Sequence, residues 1–324
     1  MELVKTWFLL GALLALMPVV SHGQEYPTKP INLLVTFAAG GTMDISTRAL
    51  ASKAEKFLGQ PFVITNNGGG GGTVGLGIVA KERPDGYHLV APTSSGFVRI
   101  PHFRPVAYKL EDFVPIMHFG APQSGLVVRA DSPWKSLKEF VEYAKQNPGK
   151  VTYGTLGVGS AMQHAMEYIA RKEGIRWTHV PYPGSAPALT ALLGGHIMAQ
   201  SGDSTWIPHV KEGRLRLLAM HGDRRLKAFP EVPTLREQGY DFINETVFMI
   251  AAPKGTPLAI VKKLDEALRR AMDDPEFLQT MAKLEIEPSY RNSEETKKYL
   301  EEAYGRVGKL TAELKVPRDA EKKQ

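Results

Sequence analysis

The stretch "VTFAAGGTMDISTRALA", residues 35–51, decides how the rest of the chain is read. An apolar run stops at Gly40 and Gly41, and an amphipathic pattern begins at once. A strand end, a glycine turn and a helix N-terminus therefore meet at one point. The first N–H groups of a helix have no partner inside it and carry partial positive charge. Such a point can hold a nucleotide, a catalytic intermediate, or a small anion that is bound and released. It can equally be a tight strand-to-helix turn with no ligand. Asp44 leaves the same choice open: it can cap the helix, pair with Arg48 one turn on, or hydrogen-bond a ligand.

On either side of this point, strand-like and helix-like segments alternate. "INLLVTF" (31–37) reads as a buried strand, followed by a helix from about residue 44 to 58. "PFVITNN" is the next strand and runs into five glycines, 68–72. A short helix, "TVGLGIVAKE", stops before the turn Pro84-Asp85-Gly86, and "YHLVAPT" is a third strand. The middle of the chain repeats this order with "GLVVRA", "KVTYGT", "THVPY" and "LRLLAMHG" as strands. Ser136 with Glu139 forms a capping box, Ser160 opens a helix that Gly174 stops, and "APALTALLGG" is a further helix. "FMIAAPKGTP" then returns as a strand. Thr256 and Pro257 suit the cap and first position of the helix after it, Asp274 and Pro275 those of the next, and Ser293 begins a long helix to about residue 314. We expect an α/β fold of two lobes, each a mostly parallel sheet flanked by helices. Residues 24–122 would start the first lobe, 123–247 would form the second, and 248–324 would complete the first. Crossings near 119–125 and 246–251 would be the hinge, with a cleft between the lobes.

Composition narrows the function classes. The chain has 324 residues, a net charge of +6 and a pI of about 9.2, with its basic residues dispersed. No lysine or arginine run marks a nucleic-acid face. "MELVKTWFLLGALLALMPVVSHG" has the charged start, apolar run and small residues Ser21 and Gly23 of a secretory signal peptide, with cleavage expected before Gln24. The run is short for a membrane span, and no cysteine follows it to carry a lipid. The absence of cysteine from the whole chain also excludes disulfides and thiol chemistry. Export without a disulfide points to a bacterial periplasm and a soluble, monomeric product.

A second loop shares the opening design. In "YGTLGVGSAMQHA" (153–165) a strand ends at Thr155, Gly157 and Gly159 shape a loop, and Ser160 opens a helix. Two such loops, one in each lobe, suit an anion clamped between them. Thr93 and Ser94 end the third strand, on the side where the carboxyl ends of parallel strands face a ligand crevice. Asp203 and Ser204 lie in a loop that can cap the segment from Trp206 onward or reach the cleft. Gly70, Gly72 and Gly75 match G-x-G-x-x-G, but five consecutive glycines generate that pattern easily; a flexible loop beside the cleft is the better reading. No Walker motif, G-x-S-x-G elbow or H-E-x-x-H pattern occurs. Ser160 and His164 could form a hydrolytic pair, although no third member is evident and a packing histidine is the plainer reading.

Taken in order, these stretches resemble the Bug-type periplasmic receptors of tripartite tricarboxylate transporters. "YPTKPINLLVTFAAGGTMDISTRALA", "LGQPFVITNNGGGGGTVG", "PDGYHLV", "YGTLGVGSAMQHAMEY", "VPYPGSAPALTALLGG", "EGRLRLLAM", "FPEVPTLREQGY" and "AAPKGTPLAIVKKLDEAL" carry the resemblance from Tyr26 to about residue 310. It implies a periplasmic-binding-protein (Venus flytrap) fold that takes small carboxylates and delivers them to a membrane permease, with no catalysis, cofactor or metal. A sensor that signals to a membrane kinase is the rival within the same fold. The gripping loops carry over as Ala38, Gly40, Gly41, Thr42, Met43 and Asp44, and as Thr155 to Ser160; a later acidic pocket residue falls at Asp203. Ala39 stands where the family usually has proline, Met43 where a small hydroxyl residue is common, and Met198 where an acidic residue is common. The glycine run is also unusual. An aromatic or larger carboxylate therefore stands beside a di- or tricarboxylate as the expected ligand.

Overall fold

A computed structural model describes residues 26–244 and 246–313. The expected leader, residues 1–23, and the tail from 314 lie outside the described residues. The first lobe opens with β1 (Ile31–Val35), α1 (Thr42–Leu58), β2 (Phe62–Asn66), α2 (Thr73–Val79) and β3 (His88–Ala91). In β1, Ile31, Leu33 and Val35 are buried while Asn32 is exposed, as a strand's two-residue period requires. Helix α1 buries Met43, Leu50, Ala51, Ala54 and Leu58 and ends at Gly59, whose positive φ of 72° lets its N–H reach the Glu55 carbonyl. It begins two residues before the sequence reading placed it. After the short helices α3 (Ser94–Val98) and α4 (Ile100–Phe103), β4 (Phe113–Gly120) completes the first pass.

The second lobe comprises β5 (Ser124–Arg129), α5 (Leu137–Gln146), β6 (Thr152–Thr155), α6 (Ala161–Glu173), β7 (Thr178–Pro181), α7 (Ser185–Leu193), β8 (Ala199–Asp203), α8 (Ile207–Lys211) and β9 (Leu215–Met220). The chain then returns with β10 (Phe248–Pro253), α9 (Leu258–Ala271), α10 (Pro275–Lys283), β11 (Pro288–Arg291) and α11 (Ser293–Glu313). Ser136 and Ser160 cap α5 and α6 as read from sequence, and Gly174 ends α6 at φ 66°. Thr256 does not cap α9: its hydroxyl donates to the Pro253 carbonyl at 2.8 Å, and Pro257 takes the cap position.

Two sheets result, ordered β11-β4-β10-β3-β1-β2 and β7-β6-β8-β5-β9. Both are mixed rather than mostly parallel. β2, β1 and β3 run parallel, and β10, returning from the second lobe, pairs antiparallel with both β3 and β4. In the other sheet β6 pairs parallel with β7 and β8, while β5 pairs antiparallel with β8 and β9. Each sheet has a core on both faces. Phe248, Ile250 and Ala252 of β10 pack on one face, and its Met249 and Ala251 on the other. In β5, Leu126 and Val128 face one core and Val127 the other. Leu156, Ala161 and Met162 of the second lobe join the first lobe's core, so the lobes are in packed contact. No helix among the described residues is long and apolar enough to cross a membrane.

Candidate functional site

Both glycine loops come to one small cavity of about 20 Å³ between the lobes. Gly41 and Met43 reach it from the first loop, Leu156, Ser160, Ala161 and Met162 from the second. Thr93, Ser95, Pro122, Thr246 and Phe248 line the hinge side, Phe37 and Gly71 another, and Ser185 and Asp203 enter from the second lobe. That volume has room for about one water molecule, so the lobes stand closed. A larger groove of about 860 Å³ lies on the first lobe beside α9 and α11. It touches neither loop, and it mixes Lys254, Lys262 and Lys297 with Glu111, Glu294 and Glu301. We place the site where the loops meet.

The electrostatics come from backbone rather than from basic side chains. Gly41 and Gly184 occupy the N-cap positions of α1 and α7 with no side-chain cap. Ser160 caps α6 by accepting the Gln163 N–H at 3.3 Å. Three helix N-termini therefore meet the cavity, through Gly41, Ser160 and Ser185. Each offers partial positive charge and unpaired N–H groups. No lysine, arginine or histidine is among its described lining residues.

Among those described lining residues, Asp203 is the one ionisable side chain. It ends β8 and is only 3% exposed. Its Oδ2 accepts the Thr42 hydroxyl at 2.6 Å and the Ser185 hydroxyl at 2.7 Å; its Oδ1 accepts the Thr205 N–H at 3.3 Å and hydroxyl at 3.1 Å. Thr42 belongs to the first lobe, so this bond ties the lobes together. Burial pushes the Asp203 carboxyl above its ordinary range, while these donors favour the charged form.

The remaining residues expected from sequence hold the loops rather than line the cavity. Asp44, 4% exposed, accepts the Gly40 N–H at 3.0 Å, Arg48 Nε at 2.8 Å and Asn66 Nδ2 at 2.9 Å. It thus pins the first loop onto α1 and β2. The Ala38 N–H donates across the lobes to the Pro183 carbonyl at 3.0 Å. Thr155 folds the second loop: its hydroxyl donates to the Gly157 carbonyl at 3.1 Å and contacts His179 Nε2 at 2.7 Å. The Gly159 N–H donates to Gln163 Oε1 at 2.7 Å. Ser94 accepts the Val247 N–H at the hinge, 3.1 Å away. His164 Nδ1 faces the Ser160 carbonyl at 2.9 Å, not its hydroxyl, and burial lowers the ring to about 3.

Ser185 and Ser95 were not read from the sequence, and Thr246 was read only as the start of a hinge crossing. Ser185 sits in "PGSAP", a third glycine-to-helix junction of the same kind as the two recognised, and that spacing was the available signal. Thr246 lies in a segment with no pattern. Its hydroxyl donates to Asn244 Oδ1 at 2.6 Å, which leaves Ser95 to donate to Thr246 across 3.1 Å.

Comparison with known proteins agrees with this geometry. Residues 46–316 match the sequence model described as Tripartite tricarboxylate transporter family receptor. A UPF0065 protein in the gbd 5′ region of Cupriavidus necator is 40% identical over 87% of this chain and 86% of its own. The structure of the periplasmic binding protein BugD is similar at TM-score 0.85 and 30% identity, covering 90% of this chain and 99% of its own. MatC from Rhodopseudomonas palustris with bound malate gives TM-score 0.82 and 28% identity, over 88% of this chain and 99% of its own. The two-lobed α/β fold, the paired glycine loops and these near end-to-end matches lead to one conclusion: the chain belongs to the Bug-type receptor family of tripartite tricarboxylate transporters.

Proposed function

We propose that the chain is a periplasmic receptor that closes on an organic carboxylate and delivers it, unchanged, to a membrane permease. The observation that carries this is the convergence of three helix N-termini on a cavity with no described basic side chain. A carboxylate oxygen accepts from such N–H groups and neighbouring hydroxyls without a counter-ion. Malate in the related MatC structure supports the ligand class. Gly41, Met43, Thr93, Ser160 and Asp203 would contact or border the ligand, and Ala38, Gly40, Thr42, Asp44, Ser94, Thr155, Gly157 and Gly159 would hold the contacting loops. The lobes would divide at 122–123 and 247–248, and the protein would act as a monomer after cleavage before Gln24. Ser160 serves as a helix cap with its neighbouring histidine turned to its carbonyl, which supports binding over hydrolysis.

Thermal unfolding of residues 24–324 against mono-, di- and aromatic carboxylates tests the reading. A ligand at a hundred times its dissociation constant adds about 2.7 kcal/mol of stability. At least one carboxylate should raise the midpoint and be recovered intact by NMR. No shift with any carboxylate, or turnover of one, would contradict it.

A further inference from the structure

We propose that an ionic latch beside the hinge biases the ligand-free protein toward its closed form: the first lobe's loop from Glu285 to Glu287 holds Lys211 and Arg224 of the second lobe. Lys211 Nζ donates to Glu285 Oε1 at 3.1 Å, and Arg224 Nη2 donates to Glu287 Oε2 at 2.7 Å. Both pairs have the same polarity, acid on the first lobe and base on the second. The acidic loop is fixed to its own lobe: α10 leads into it, and Pro288, the first residue of β11, pairs with Gly120 of β4. Lys211 ends α8 and Arg224 follows β9, so both bases belong to the second lobe. The latch concerns lobe motion and does not depend on which ligand the cleft takes.

The backbone at Glu285 is unfavourable for glutamate. The Glu285 N–H donates to the Ala282 carbonyl at 3.0 Å and the Ile286 N–H to the Met281 carbonyl at 2.9 Å, the two bonds that end a helix through a left-handed residue. Glycine suits that place, because a Cβ crowds the backbone there. Gly59 and Gly174 fill it at the ends of α1 and α6, with φ of 72° and 66°. Among the described residues, Glu285 is the non-glycine residue with positive φ, at 54°. The helix end gains nothing from a carboxylate, since its dipole disfavours negative charge at the C-terminus. What glutamate supplies and glycine lacks is a side chain that crosses to the other lobe. Its carboxylate is also the more sheltered of the two, 25% exposed against 76% for Glu287, so water and salt screen it less. Opening the lobes separates these opposite charges and closing joins them. That difference is what lets them shift the equilibrium.

The test uses no ligand, so failure of every carboxylate to bind would leave its result standing. Spin labels on Ser52→Cys and Thr190→Cys, one exposed site on each lobe, give the ratio of short to long interlobe distances by pulsed electron resonance. Raising sodium chloride from about 20 mM to about 500 mM should lower that ratio about two- to fivefold. Glu285→Gln combined with Glu287→Gln keeps the size of both side chains and should give the low ratio at either salt. Glu285→Gly, better suited to the helix end, should lower the ratio as Glu285→Gln alone does. Lys211→Glu should lower it further, and adding Glu285→Lys should restore it. Circular dichroism checks that each variant is folded. A wild-type ratio that ignores salt would overturn the latch, and this comparison needs no latch variant. A salt response undiminished in the double glutamine variant, or a ratio that holds or rises when the Glu285 charge is removed, would overturn the role given to these residues.

Discussion

Asp44 lies in the first turn of α1 and Ser160 is the N-cap of α6, and the structure gives them different work. Asp44 is a buried acceptor for three donors, so Asp44→Ala should free the first loop and also cost stability, about 1–3 kcal/mol by urea unfolding. Ser160→Ala removes a helix cap and a cavity hydroxyl together. It should cost about 1 kcal/mol of stability and weaken carboxylate binding by about tenfold or more by calorimetry. Equal affinity in Ser160→Ala and wild type would move the contact elsewhere. The sequence showed that these residues lie in loops; it could not show where their side chains point, because Asp44's third donor, Asn66, is distant in sequence. Histidines make the chain acid-sensitive. Burial lowers His118 and His179 to about 4, and His164 and His221 to about 3, from an ordinary 6.5. The unfolded chain therefore takes up protons below about pH 6.5 that the folded chain refuses until about 3–4. Their contribution is complete above 6.5 and is lost as pH falls, by up to about 1.4 kcal/mol per pH unit for each histidine. Asp203, raised by burial, acts in the opposite direction: its contribution falls as pH rises above 3.8. Four histidines outweigh it, so the urea midpoint should drop steadily between pH 7 and 5. A flat profile would mean these rings are not held neutral.

Among the elements, the glycine run departs most from what its sequence suggested. Its expected role was a flexible loop. Instead Gly69, Gly70, Gly71 and Gly72 all take positive φ, and Arg104 and Thr73 hydrogen-bond the Gly70 carbonyl. The run is a contact surface between lobes. A Cβ on Gly68 would stand 2.4 Å from the Pro183 carbonyl oxygen, and one on Gly157 would stand 2.7 Å from the Gly71 nitrogen. Backbone meets backbone here only because side chains are missing. Gly68 lies outside the positive-φ set, so alanine strains no dihedral there, and open lobes should tolerate Gly68→Ala within about 1 kcal/mol where the closed, packed lobes should not. It should nevertheless weaken ligand binding by about tenfold or more, because it obstructs closure. Unchanged affinity would show that the run does not pack in the liganded state. Strands were legible where an apolar run stood out, as in β1, β5 and β10. β4 was missed because Pro115 and His118 interrupt its apolar residues, and β8 because "AQSGD" has no apolar pattern at all. Its Gln200, Ser201 and Asp203 are buried through hydrogen bonds to Ser185, Met162 and Thr42, partners from other elements. Such tertiary satisfaction leaves no local trace.

Across the molecule, two lobes followed from the alternation of elements. β4 ends at Gly120 in one sheet and β5 begins at Ser124 in the other; β9 ends at Met220 and the chain returns at Phe248. The closed arrangement was not legible, since it depends on Ala38 with Pro183 and Thr42 with Asp203. At the chain's start, intact mass of the exported protein should match residues 24–324; a mass retaining the first 23 residues would replace the cleaved leader by an anchor. If two loops on separate lobes close on one ligand, only the closed state lets both donate to it, and that difference is what can shift the population. The chain has no cysteine, so Ser52→Cys on α1 and Thr190→Cys on α7, both exposed, can be spin-labelled uniquely. Pulsed electron resonance then measures the interlobe distance without ligand and with the carboxylate that gives the largest thermal shift. We predict a broad or longer distribution that narrows and shortens when ligand is added. Identical distributions in a sample shown by calorimetry to be saturated would contradict the clamp.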